Sequence, residues 1–264
     1  MSIYSAMRAG VTGMNANSSA MAVISDNIAN LNTVGFKRQR AEFQDLYYQT
    51  YERAGAISSA TGATTPNGVQ IGTGVKTGSV YRIAEQGNVT TTGNDFDLAI
   101  SGRGLFRIDL PDGREAFTRA GNFAVSSDGR IVTEDGYELA PSISVPEDAV
   151  DIAISEDGVV QARIPGEADM REIGRIELAA FFNESGLEAI GDNLLVETPA
   201  SGEAVFGAAG EPGFGRILQG YLETSNVDPV QEITALIAAQ RAYEMNARVI
   251  TASDEMLQAA TQLR

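Results

Sequence analysis

The chain has 264 residues, enough for one large or two modest domains with a real core. Its 19 Lys and Arg face 35 Asp and Glu, and the net charge of −16 argues against binding nucleic acid or an anionic membrane, both of which need basic surface. With no Cys, no His and no Trp, disulfides, thiolate or histidine metal sites, a Cys nucleophile and a Ser-His-Asp triad are all excluded, and no cofactor is expected.

The first expected element is a helix over residues 1–35. Its apolar residues recur in steps of four and three: Ile3, Met7, Gly10, Met14, Asn17, Met21, Ile24, Ile28 and Leu31. Such a seven-residue repeat describes a seam that wants a partner helix. A second row, Ala6, Ala9, Gly13, Ala16, Ala20 and Val23, is small and admits a closely approaching backbone. Only Arg8 and Asp26 are charged before Gly35, too few for a helix surrounded by water. Asn15, Asn17, Ser18 and Ser19 interrupt any secretory leader, and no stretch reaches the roughly 20 apolar residues of a membrane span. No membrane insertion is expected.

Residues 36–75 read as an extended connector containing a Gly/Ser/Thr-rich insertion over 51–68, with no charge between Arg53 and Lys76. Residues 76–224 read as a β-rich outer domain of hairpins. Asp112-Gly113, Asp128-Gly129, Asp135-Gly136 and Asp157-Gly158 are turn chemistry needing positive φ. Strands are expected over 105–110, 123–125, 130–133, 143–145 and 176–182.

Asp228-Pro229-Val230-Gln231 opens a second helix over 228–264, with Asp at the N-cap and Pro in the first turn. One seam runs through Ile233, Leu236, Tyr243, Ile250 and Leu257. A second, apolar throughout, runs through Ala238, Ala242, Met245, Val249, Ala252, Met256, Ala259 and Leu263. A helix apolar on two faces must be covered on both. One cover is the first helix, and other subunits are the economical second. The expected fold is therefore α+β: long terminal helices packed as a coiled-coil-like pair, with a β-rich hairpin domain inserted between them. The expected interface is Ile3, Met7, Met14, Met21, Ile24, Ile28 and Leu31 with Ile233, Leu236, Tyr243, Met245, Val249, Ile250, Met256, Leu257 and Leu263.

Residues 25–38 (SDNIANLNTVGFKR) resemble the N-terminal signature of the bacterial flagellar rod and hook axial proteins, through Ala29, Asn30, Asn32, Thr33, Gly35, Phe36 and Lys37. Residues 220–249 resemble that family's C-terminal signature, through Ser225, Asn226, Val227, Gln240, Arg241, Ala242 and Tyr243. Stretches 40–50, 68–75, 97–106 and 186–198 are most similar to the distal-rod branch. The resemblance implies a structural, non-catalytic subunit of the flagellar basal body that spans periplasm to outer envelope. It also implies type III export without a cleaved signal. The implied partners are copies of itself in a hollow helical polymer, proximal rod proteins, hook protein and the surrounding ring bushing. A proximal rod or hook subunit, a soluble coiled-coil adaptor and a secreted β-domain enzyme acting on cell wall are the competing readings. Within the distal-rod reading, the insertion stiffens the shaft. Deleting Ile57–Thr64 should still give polymers, but curved ones, and electron microscopy of filament curvature checks this. Equal straightness leaves the segment a plain linker.

Overall fold

The computed structural model describes residues 3–55, 66–165 and 170–262, arranged as two compact units. The first is discontinuous in sequence and holds Met1–Ile28, Gln39–Tyr81 and Pro229–Arg264. The second holds Ala29–Arg38 and Arg82–Asp228.

In the first unit, helix α1 spans Ile3–Ala29 and helix α2 spans Pro229–Gln262. Helix α2 begins directly after Asp228, because Pro has no N–H to lose in a first turn and its fixed φ suits the helix. Two antiparallel ribbons complete the unit: Gln39–Asp45 with Val75–Arg82, and Tyr48–Glu52 with Val69–Gly72. The second ribbon is almost wholly exposed. Most of the expected insertion, residues 56–65, lies outside the described residues, as does Leu263.

The expected coiled-coil-like pairing is corrected here. Large apolar seams do not interlock between the helices. Where α1 and α2 come closest, glycines of α1 face Asn246 and Ile250 of α2. A methyl group added to Gly13 would come within 2.8 Å of the Asn246 amide nitrogen, and one on Gly10 within 3.0 Å of Ile250 Cγ1. Buried Asn27 donates from Nδ2 to Glu232 Oε2 at 3.2 Å, and Glu232 is itself buried. The buried positions of α2 are Glu232, Ala239 and Ser253. Glycines at the contact bring the backbones close, whereas Met245, Val249 and Met256 of α2 stay exposed. Nor is β-structure confined to an inserted domain, since both ribbons belong to the helical unit. An α+β fold remains.

The second unit is built of antiparallel hairpins, and its main sheet has nine strands. All four Asp-Gly turns close hairpins there. Their glycines have φ of 77–86°, and each donates its N–H to the carbonyl three residues back, as in Gly113 to Leu110 at 3.0 Å. This is the three-residue loop in which only Gly adopts the left-handed position without strain. Residues 143–145 were expected as a strand; the structure gives only an isolated bridge from Ser144 to Arg130, although Ile143 and Val145 are buried. The main core gathers Leu98, Ile100, Phe106, Ile108, Leu139, Val160, Ile176, Leu178 and Ile217. Phe106 meets Phe123 edge to face at 5.1 Å. A smaller cluster on Phe117 and Phe181 packs the other side of the sheet.

Phe106 is fully buried, so Phe106→Ala is expected to cost about 3–5 kcal/mol. Chemical denaturation of the β-rich unit, followed by near-ultraviolet circular dichroism, measures it.

Candidate assembly surface and its internal clamp

The signature turn after α1 lies in the second unit. Gly35 has φ of 68°, and a methyl group there would come within 2.6 Å of the Ala120 nitrogen, so both its conformation and its space require glycine. This turn is fixed to the strand Tyr221–Glu223 by one buried carboxylate. Gly35 N–H donates to the Glu223 carbonyl at 2.8 Å. The Glu223 side chain takes Lys37 Nζ at 2.5 Å and Gly87 N–H at 2.9 Å on Oε1, and Arg119 Nε at 2.6 Å on Oε2. Arg119 spends its remaining donors on three carbonyls, those of Gly104, Ile100 and Gly102, at 2.5–2.8 Å. Lys37 also donates to the Glu85 carbonyl at 2.8 Å.

Glu223 is 1% exposed. Burial alone would push its carboxyl up, but Arg119, Lys37 and the Gly87 N–H outweigh it, and the group sits below the ordinary carboxylate range. Lys37 moves below the ordinary lysine value. Loss of hydration is the main cause, the neighbouring Arg119 adds to it, and the Glu223 contact opposes it. The geometry, two cations on one carboxylate, favours the ionised Glu223. Asn226 adds a neutral brace. Its Oδ1 accepts from Arg38 N–H at 2.7 Å, and its Nδ2 donates to the Ile83 and Glu85 carbonyls at 3.0 and 2.9 Å.

The remaining signature residues are structural. Thr33 Oγ1 bonds Asn30 Oδ1 at 3.0 Å, Phe36 is half-buried, and Ser225 and Val227 are buried, whereas Ala29 and Asn32 are exposed. Of the residues expected at an interface, Met7, Met14, Met21, Ile24, Ile28, Leu31, Leu236, Ile250 and Leu257 are half-buried within the single chain. The others face outward: Ile233, Tyr243, Met245 (61% exposed), Val249 (45%) and Met256 (53%). Gln240 and Arg241 are exposed beside them, and Ala242 is half-buried. The Ile3 side chain lies outside the described residues. Sequence reasoning missed Arg119, Glu223 and Asn27 as determinants. Glu223 and Asn27 stand inside the two quoted signatures, where an acid and an amide amid apolar residues were the available signal. Arg119 had none.

Three family profiles match the chain: the flagella basal body rod protein over residues 7–37, the flagellar hook protein FlgE/F/G D1 domain over 99–162, and the flagellar basal body rod FlgEFG protein C-terminal region over 218–263. Lys37, Arg119 and Glu223 fall one in each. Together the matches define an axial protein of the flagellar rod and hook. The flagellar basal-body rod protein FlgG of Caulobacter vibrioides is 60% identical over 259 residues, covering 98% of this chain and 99% of the relative. That of Agrobacterium fabrum is 50% identical over 251 residues, covering 95% and 96%. The FlgF protein of Caulobacter vibrioides is 34% identical over 244 residues, covering 91% and 89%. The chain belongs to the FlgG family of flagellar basal-body rod proteins. It is a structural component of the rod in the flagellar basal body. Among the described residues, no helix is long and apolar enough to cross a membrane.

Removing one cation from a buried pair leaves the carboxylate undercompensated, so Arg119→Met is expected to cost about 3–5 kcal/mol. Urea denaturation of the β-rich unit reads the loss, and an unchanged midpoint would count against the clamp.

Proposed function

We propose that the chain is a distal-rod subunit that assembles with copies of itself into a straight, hollow helical shaft and transmits torque from motor to hook without catalysis. The observation that carries this reading is the outward row of α2. Ala238, Met245, Val249, Ala252, Met256 and Ala259 are all apolar and all exposed, with Ala242 half-buried among them. Fully burying one such Met or Val is worth about 1.5–3 kcal/mol, so a row of them is a strong drive to association. A contact between different patches on successive copies does not close on itself and yields an open helical filament.

In this reading the terminal helices make the inner core domain of the shaft and the β-rich domain faces outward, where its share of the −16 charge keeps it hydrated. Proximal rod proteins, hook protein and the ring bushing are the neighbours that the rod position implies. The lower identity to FlgF than to FlgG within one bacterium favours the distal over the proximal position. Met21 and Ile24 of α1, both half-buried in the single chain, complete the contact surface.

Val249→Asp places a charge on the face to be buried, at a cost of several kcal/mol unless the site opens to water. Sedimentation and electron microscopy are expected to show monomers only, with the β-rich unit melting as in wild type. Normal filaments from this variant would move the interface off α2.

A further inference from the structure

We propose that Glu223 is an acid-operated latch: once its carboxylate is protonated, residues 33–38 detach from the β-rich unit while the strands of that unit stay folded.

The asymmetry of the cluster dictates which part moves. Arg119 is 8% exposed, is held by the Ile100, Gly102 and Gly104 carbonyls as well as by Glu223, and cannot lose its proton. Lys37 is 15% exposed and, among the described residues, has one other hydrogen-bond partner, the Glu85 carbonyl. Protonating Glu223 leaves two cations close together with no counter-charge. In acid Lys37 cannot relieve this by giving up its proton, so it must move to water. Glu184, on the single turn Glu184–Gly186, is the other acid whose charge reaches Lys37, and it lies 3.7 Å from Arg103, so it does not replace Glu223.

What Lys37 carries with it is short. The backbone ties of residues 33–38 to the unit include Gly35 N–H on the Glu223 carbonyl, Arg38 N–H on Asn226, and Ile83 N–H on the Arg38 carbonyl. The main core, by contrast, contains none of the cluster's charged side chains; Ile100 meets Arg119 only through its backbone carbonyl. Its Phe106, Leu139, Ile176 and Leu178 are packed by apolar contacts that are indifferent to pH.

The direction in pH follows from Glu223, whose carboxyl is held below its ordinary value in the folded chain. Its contribution is complete above that ordinary value and is lost as the pH falls through the lowered one. The latch therefore opens in acid and is closed near neutrality.

The test is hydrogen exchange by mass spectrometry on the full chain, stepped from pH 7 into acid and corrected for intrinsic rates. In wild type, amides 35–38 and Gly87 are expected to exchange about tenfold faster once the latch opens, with residues 105–118 still protected. Glu223→Gln should show the same fast exchange already at pH 7. Lys37→Met removes the cation that has to leave, so its residues 33–38 should remain protected in acid; should Glu223→Gln fail to fold, this variant and the wild-type titration still decide. Three results each overturn the proposal: core and segment opening in one step, Glu223→Gln as protected as wild type at pH 7, or Lys37→Met opening at the wild-type pH.

Discussion

One buried carboxylate holds together parts of the chain that have no other reason to meet. Glu223 takes a lysine from the turn that follows α1, an arginine from the middle of the β-rich unit, and a backbone amide from a third segment. Ions are costly to bury, and this one is tolerable because each oxygen has a charged donor and Arg119 is further satisfied by carbonyls. The two signature segments are thus two halves of one clamp, joined through Glu223 of the second, with Arg119 added from outside both. Everything around it, the glycine at 35 that fits against Ala120 and the Asn226 brace, serves to bring backbone into range.

The helical unit follows a different logic. Its two helices approach through Gly10, Gly13 and polar Asn246, and that choice has a consequence for the larger residues. Methionine and valine side chains that a coiled coil would consume between its own strands are left on the outside of α2. A pair of helices that interlocked fully would be stable alone and inert toward others. This pair is under-saturated, and its exposed apolar row is the feature on which the proposed assembly rests.

Legibility in the sequence tracked the range of the interactions. The Asp-Gly hairpins were readable because a turn is encoded within a few residues, and each appears where expected. The outward row of α2 was readable because helical spacing alone places Met245, Val249 and Met256 on one face. Close approach along the small row was readable, and Gly13 indeed lies against Asn246; that the large apolar rows would not supply a coiled-coil seam was not, because spacing alone does not say which row faces the partner helix. Segment 143–145 has strand composition but pairs only at Ser144, since burial of Ile143 and Val145 satisfies its side chains without a ladder. The clamp was invisible for a simpler reason. Arg119 and Glu223 are separated by 104 positions, and no local pattern links them.

That separation also shapes how the molecule comes into being. Lys37 and Glu223 lie 186 positions apart, among the most distant contacts in the chain, while the hairpins between them each close over a handful of residues. Loop-closure entropy favours the local ribbons first and contacts of high sequence separation, the clamp among them, later. Until the strand Tyr221–Glu223 docks, Lys37 and Arg119 would meet at this seam as like charges with no shared counter-ion. The arrival of a single glutamate reverses the sign of that interaction.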